Sequence, residues 1–174
     1  FSVVTSNYIG QKNLEGVRKS FATQIMLSFA ISVILTIIAV LCINPLLMSI
    51  GLKSSSNPVQ NEIYEAAYTY VLIIFIGTIT QIFYNLICSF LRSVGDSLTP
   101  LLFLIFSTIL NILLDILFIA VFKWGVKGAG IATVIAQAIS AIGCFGYTFI
   151  HYKEYRLSKE DFKLDGSFIL RHLK

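Results

Sequence analysis

The sequence predicts an all-α, polytopic membrane protein with four spanning helices. Its 174 residues are 56% hydrophobic and only 13% charged, with a mean hydropathy of +0.83, whereas soluble domains carry about 25% charged residues. A chain this short cannot bury so much apolar surface in its own core, so many of its apolar side chains must contact lipid. Uncharged stretches reach the roughly 20 residues that a helix needs to cross a bilayer. Residues 34–41 do not alternate between apolar and polar side chains, which excludes a membrane β-barrel.

The first two spans are predicted near residues 20–48 and 64–91. The first lies inside Ser20–Leu52, a stretch of 33 residues without Asp, Glu, Lys or Arg, and the second contains the whole of Ala66–Leu91, a stretch of 26. The segment between them, Gly51–Pro58, carries Gly, Ser, Asn and Pro, which are typical of turns. The two spans therefore form a helical hairpin.

The third and fourth spans are predicted near residues 98–122 and 128–152. Asp115 alone interrupts the third span with a charge. The short connections Arg92–Asp96 and Lys123–Gly128 again carry turn residues, so consecutive spans run in opposite directions.

Residues 153–174 are predicted to form a cytoplasmic linker and the start of an amphipathic surface helix. Charged residues dominate the first half, and the second half combines apolar with basic side chains, namely Phe168, Ile169, Leu170 and Leu173 with Arg171 and Lys174. A linker to a soluble domain is the alternative. Because the chain opens at Phe1 without a Met and stops within this element, we expect it to be a piece of a longer protein.

The distribution of Lys and Arg predicts the orientation of the spans, since cytoplasmic loops carry an excess of these residues. The split is ten against three, out of a total of 13. The predicted cytoplasmic side carries Lys12, Arg18, Lys19, Arg92, Lys153, Arg156, Lys159, Lys163, Arg171 and Lys174, and the other side carries Lys53, Lys123 and Lys127.

Asp115 is the candidate functional residue of the third span, because an ionisable side chain inside a membrane is costly and usually marks a transport pathway. Asn111 lies four residues earlier on the same helix face. The pair could hold a proton or a sodium ion. Alternatively, Asp115 reaches the outer interface and Asn111 bonds to a neighbouring backbone.

Polar side chains on the second and fourth spans are candidates for the wall of a cavity. Helical spacing places Thr133 and Gln137, with Ser140, on one face of the fourth span, opposite Asn111 and Asp115. On the second span, one face carries Thr78, Gln81 and Asn85. Packing between helices explains these residues equally well, and Tyr70 suits an interfacial anchor.

Motifs for enzyme chemistry are missing from the sequence. It has no phosphate-binding GxxxxGK[ST] loop and no Ser/His/Asp set, and its two His residues lie at or beyond the inner membrane face. The three cysteines are far apart and form no CxxC pair. We therefore expect no catalytic residues, no metal cluster, no cofactor and no nucleic-acid partner.

Three stretches resemble the multidrug and toxic compound extrusion (MATE) transporters. They are Arg92–Pro100, Asn111–Asp115 and Gly125–Thr133, in the order and spacing of the family's amino-terminal lobe. Residues 6–13 are similar to the family's loop between its second and third helices, and residues 168–174 to the surface helix before its seventh.

The resemblance implies that the four spans are helices three to six of a twelve-helix transporter in the cell inner (plasma) membrane. Such a protein is an antiporter that exports cationic or amphipathic drugs and xenobiotics in exchange for protons or sodium ions by alternating access. The resemblance assigns cation coupling to Asp115, Asn111, Thr133 and, with weaker support, Tyr70. It implies a small-molecule substrate, and a remainder of the same transporter outside this chain.

Two other functions stay open from the sequence. A lipid-linked oligosaccharide flippase of related fold would carry a pyrophosphate and need Lys or Arg inside its cavity. The spans contain neither, which favours a cationic cargo. A membrane scaffold subunit that transports nothing is the second alternative, and it would tolerate replacement of Asp115.

Overall fold

The computed structural model describes residues 2–54, 57–158 and 161. Six α-helices and two short helical segments make up the fold in this part of the chain. The α-helices are α1 (Ser2–Gly10), α2 (Leu14–Leu41), α3 (Ile43–Ser49), α4 (Pro58–Ser93), α5 (Leu98–Asp115) and α6 (Gly125–His151). A π-helical turn, Ile116–Val121, extends α5, and a single 3₁₀ turn, Lys153–Tyr155, follows α6.

Four of these helical segments are long and apolar enough to cross a membrane, as the sequence predicts. They are α2, α4, α5 with its π-helical turn, and α6. We call the end of the bundle at the α4–α5 loop the inner end and the opposite end the outer end, following the predicted orientation. The chain is thus an all-α, multi-pass membrane protein.

The first span is shifted and interrupted relative to the predicted residues 20–48. Helix α2 begins at Leu14, where the Asn13 side chain accepts a hydrogen bond from the Gly16 amide at 2.9 Å. It ends at Leu41, and α3 starts after Cys42. Pro45 explains the break, because its ring has no N–H to donate to the Leu41 carbonyl and would collide with it.

Helix α1 corrects one expectation from the resemblance. Residues 6–13 were expected to form a loop, but the helix continues to Gly10, so the connection to α2 is only residues 11–13. Lys12 adopts a positive φ of 53° in this tight turn. Thr5 of α1 packs against α2 and shares a buried hydrogen bond of 2.9 Å with the Ser20 hydroxyl.

Helix α4 is the centre of the bundle and lies between α2 and α6. It is longer than the predicted residues 64–91, because Pro58 suits the first helical position and the Asn57 side chain accepts from the Val59 amide at 3.1 Å. At Gly77 the α6 side chain Val134 comes so close that a Cβ would collide with it. Small residues therefore set the distance between α4 and α6.

The third and fourth spans begin and end close to the predicted residues 98–122 and 128–152. The difference lies within the third span, where regular α-helix stops at Asp115 and a π-helical turn continues to Val121. Such turns add a residue to the helical repeat and often occur at functional sites. Among residues 98–115, only Thr99 and Pro100 at the inner end are buried.

The buried core lies toward the inner end, where α2, α4 and α6 meet. Phe21 of α2 stacks on Phe90 of α4 with ring centroids 4.2 Å apart, and Tyr155 meets Phe90 edge-on at 5.8 Å. The 3₁₀ turn after α6 therefore closes this end of the bundle. The predicted surface helix at residues 168–174 lies outside the described residues.

A polar cavity between three spanning helices

A cavity of about 210 Å³ opens between α4, α5 and α6. Its lining contains the polar side chains Gln81, Ser107, Thr108, Asn111, Thr133, Gln137 and Ser140, together with Tyr84, Leu104 and Ala136. Asn111 is 13 residues into α5 and Thr133 is 8 residues into α6, from opposite ends of the bundle. The cavity therefore lies near the middle of the spanning segments.

Asn111 and Thr133 join α5 to α6 across this cavity. The Asn111 Nδ2 donates to the Thr133 Oγ1 at 3.3 Å, and the Thr133 hydroxyl donates to the Ala129 carbonyl at 3.0 Å. The sequence predicted that these two helix faces meet. Because the bond uses the amide nitrogen of Asn111, its amide oxygen stays available as an acceptor.

Asp115 lies one helical turn beyond this pair, toward the outer end, and is outside the cavity lining. Its Oδ1 is buried and has no hydrogen-bond partner. A buried carboxylate oxygen without a partner is rare, because the desolvated charge is costly. A proton or a cation would satisfy it.

The candidate residues of the second span do not all face the same cavity. Gln81 lines the cavity with Asn111 and Thr133, whereas Asn85 lines a separate groove between α2 and α4 with Gln24 and Ser28. Thr78 donates its hydroxyl to the Ile74 carbonyl at 3.2 Å. The structure thus separates residues that the spacing grouped on one face, because α4 has packed neighbours on two sides.

Tyr70 is outside the lining of the cavity. It is 37% exposed, and its ring packs beside Gly130, where a Cβ would meet Tyr70 Cδ2 at 3.4 Å. The geometry fits a packing or interfacial role for Tyr70, and it does not bring the phenol into the cavity lining.

Two cavity residues on α5, Ser107 and Thr108, were missed by the sequence analysis. Ser107 precedes Asn111 by four residues, so the same periodicity that paired Asn111 with Asp115 could have found it. On α6, Ser140 is 1% exposed, and its hydroxyl has no hydrogen-bond partner. The cavity therefore continues the polar face of α6 inward as far as Ser140.

A second polar cluster fixes the inner ends of α5 and α6. Asp96 Oδ1 accepts from the Thr99 amide at 3.0 Å, and Asp96 Oδ2 accepts from the Tyr152 hydroxyl at 3.1 Å. Partial burial raises the pKa of Asp96, but hydrogen bonds from Thr99, Tyr152 and the Leu98 backbone outweigh burial and lower it overall. Burial and the neighbouring Asp96 raise the pKa of Tyr152 to about 12.

Relatives with known sequences are bacterial proteins described as multidrug resistance proteins. The probable multidrug resistance protein YpnP of Bacillus subtilis is 42% identical over 85 residues, covering 49% of this chain and 19% of the relative. YoeA of the same organism, described in the same words, is 32% identical over 139 residues, covering 78% of this chain and 28% of the relative. The chain therefore spans less than a third of the length of these two relatives.

Solved structures agree with this relationship along nearly the whole chain. An inward-facing multidrug resistance MATE family transporter of the MOP superfamily superimposes with a TM-score of 0.84 and 27% identity, covering 98% of this chain and 38% of that one. An outward-facing structure with the same description gives a TM-score of 0.82 at 27% identity, covering 98% and 37%. The family model described as MatE matches residues 1–117, more than half of the sequence, and the chain therefore belongs to the MATE family of membrane transporters.

Proposed function

We propose that this chain is part of a secondary antiporter that exports cationic or amphipathic small molecules in exchange for protons or sodium ions. The observation that carries the proposal is the buried, unpartnered Oδ1 of Asp115, one turn from a polar cavity. Because the Asp115 carboxylate has no hydrogen-bond donor or cation at Oδ1, it is suited to binding and releasing a coupling ion. Asn111 and Thr133 would supply further oxygen ligands.

Coupling requires that the ion bind more tightly in one conformation of the transporter than in another. The Asn111–Thr133 bond supports such a change, because it links two helices by a single contact of 3.3 Å that a bound ion would compete for. The similarity of this chain to both an inward-facing and an outward-facing structure supports a lobe that moves largely as one body. The rest of the transporter would supply the other wall of the substrate pathway.

The charge of the cavity supports a cationic cargo. Its lining holds amides, hydroxyls and apolar side chains but no Lys or Arg, and the one carboxylate close to it is Asp115. A pyrophosphate-bearing substrate would be poorly stabilised there. The same composition favours the plasma membrane export of positively charged xenobiotics over lipid-linked oligosaccharide flipping.

The experiment is ethidium efflux from cells that express the full-length transporter containing this chain, with imposed proton or sodium gradients. Asp115→Asn keeps the size of the side chain but removes its charge, so we expect loss of gradient-driven efflux at equal membrane abundance. Glu65→Gln is the matched control, because it removes an exposed acidic charge of α4 away from the cavity. The control should export ethidium like the wild type.

The outcomes separate the candidate functions. If only one of the two gradients drives efflux, that gradient identifies the coupling ion. Loss of this efflux in Asp115→Asn assigns the coupling role to Asp115. Wild-type levels of efflux in Asp115→Asn would refute the coupling role, and the absence of efflux by the wild type would favour the flippase or the scaffold.

A further inference from the structure

Two glutamine side chains in the lining of the polar cavity have no hydrogen-bond partner among the described residues. Gln81 comes from α4 and Gln137 from α6, and both are half-buried. Asn111 and Thr133, by contrast, bond to each other across the same cavity. The two glutamine amides are therefore available to a molecule that enters the cavity.

Both amides lie at nearly the same depth in the bundle. Helices α4 and α6 run in the same direction, because α5 crosses back between them in the chain, and they approach closely where Gly77 meets Val134. Gln81 lies four residues beyond this contact on α4, and Gln137 lies three residues beyond it on α6. Each step is about one helical turn. The amides therefore belong to one level of the cavity, one turn inward of Thr133.

We propose that Gln81 and Gln137 are specificity-determining residues, which select cations that also carry a neutral hydrogen-bonding group such as an aromatic amine. This inference rests on the proposed function, and it names the class of cargo that the cavity binds best. Each amide offers both hydrogen-bond donors and an acceptor. An amino or hydroxyl group of the cargo can therefore bond to either side chain.

The selection arises from desolvation. When no cargo is bound, water can satisfy unpaired amides in a polar cavity. A cation without hydrogen-bonding groups displaces this water and leaves the amides unpaired, which is unfavourable. A cation with a matching polar group replaces the lost bonds with its own, so it binds more tightly than an equally large cation without such a group.

The rest of the lining suits an amphipathic cation with an N–H group. The Tyr84 hydroxyl donates to the Pro100 carbonyl at 3.0 Å, so its oxygen remains an acceptor in the cavity lining. Leu104 and Ala136 provide apolar surface for a hydrocarbon ring. The lining contains no Lys or Arg, and the neutral amides add selectivity without repelling a positive charge.

The threonines of the cavity are less suited to this task than the glutamines. The Thr108 hydroxyl donates to the Leu104 carbonyl at 2.9 Å, and the Thr133 hydroxyl donates to the Ala129 carbonyl at 3.0 Å. Their hydrogens are thus used within their own helices. The glutamine amides therefore offer the cargo donors that these hydroxyls do not.

The test compares the binding of two cations to the purified full-length transporter. Ethidium carries aromatic amino groups, whereas tetraphenylphosphonium has no hydrogen-bond donor or acceptor. Gln81→Met and Gln137→Met keep the length of the side chain but remove its amide. We expect each variant to bind ethidium roughly 2- to 10-fold more weakly, which corresponds to one lost neutral hydrogen bond. Each should bind tetraphenylphosphonium at least as tightly as the wild type does. Ethidium fluorescence and radiolabelled tetraphenylphosphonium give the two dissociation constants.

Gln60→Met is the matched control, because Gln60 also lies on α4 but is exposed at its outer end, outside the cavity lining. It should bind both cations like the wild type, and thermal unfolding verifies that all variants fold. Unchanged affinity for ethidium in Gln81→Met and Gln137→Met, or an equal loss of affinity for both cations, would overturn this inference and leave the proposed function standing. A wild type that neither binds nor exports either cation would overturn both.

Discussion

At the scale of single residues, the α5–α6 contact depends on very few polar atoms. Midway along these two helices, Asn111 of α5 and Thr133 of α6 share a single side-chain hydrogen bond. In membrane proteins such bonds average about 0.6 kcal/mol, so this one can break at little cost. Asp115 sits next to it with a buried oxygen unsatisfied. The pair is therefore suited to rearrangement when an ion arrives.

Asp96 gives the clearest prediction of pH dependence. Its pKa is lowered in the folded protein, so its hydrogen bonds stabilise the fold above the pKa of the unfolded chain and are lost as the pH falls through the folded value. The Tyr152 phenol, with its pKa raised to about 12, keeps its part of the bond at neutral pH and loses it only in strong alkali.

We expect the thermal unfolding temperature of the wild type in detergent to fall more steeply on acidification than that of Asp96→Asn. At neutral pH the variant should already be less stable. Tyr152→Phe is the companion variant, since it removes one of the donors to Asp96 and should flatten the acid slope partly. Identical acid slopes in the wild type and Asp96→Asn would contradict this role of Asp96.

At the scale of helices, the close approach of α4 and α6 at Gly77 controls packing. A methyl group at residue 77 would collide with Val134, so Gly77→Ala should destabilise the protein by about 1–3 kcal/mol, the usual cost of overpacking. Val134→Ala in the same protein should restore much of the loss. Unfolding in detergent measures both effects.

Gly146→Ala is the matched control for this pair of variants. Gly146 also lies within a helix, but no atom comes within 4 Å of an added Cβ there. This variant should be neutral or slightly stabilising, because Ala favours helix more than Gly does. A loss of stability in Gly146→Ala equal to that in Gly77→Ala would point to helix propensity or flexibility rather than to Val134.

The helices also show what the sequence can predict. Hydropathy locates all four spans, because the length of an uncharged stretch is fixed by the bilayer. It does not locate the end of α2 at Leu41, which depends on one proline inside an apolar run. The π-helical turn after Asp115 has no signal in hydropathy either, since a mean over apolar residues is the same for both kinds of helix.

The candidate site is predictable in part for a similar reason. Periodicity correctly brings Asn111 opposite Thr133, because two antiparallel neighbours joined by a short turn must face each other. It fails for Asn85, whose groove depends on how α2 and α6 pack on either side of α4. Which neighbouring helix a side chain of α4 faces depends on the packing of the whole bundle, and the periodicity of one helix does not reveal it.

At the scale of the whole molecule, the orientation in the membrane is open to direct test. Lys53→Cys and Lys127→Cys should be labelled by an impermeant maleimide added outside intact cells, and Lys153→Cys only after permeabilisation. All three residues are exposed and lie outside the buried core. The background replaces the native cysteines, and the reverse labelling pattern would refute the orientation predicted from the charge distribution.

The attachment of α5 has a mechanical consequence for the lobe. Its inner end is fixed by the buried Thr99 and Pro100, by the Tyr84 hydroxyl on the Pro100 carbonyl at 3.0 Å, and by Asp96. Its outer end is held as well, because Phe118 of the π-helical turn is buried, stacks on Trp124 with ring centroids 5.1 Å apart and packs against Gly128. Asp115 therefore lies between two attached ends, so an ion bound there would bend the stretch between them and would not swing a free end.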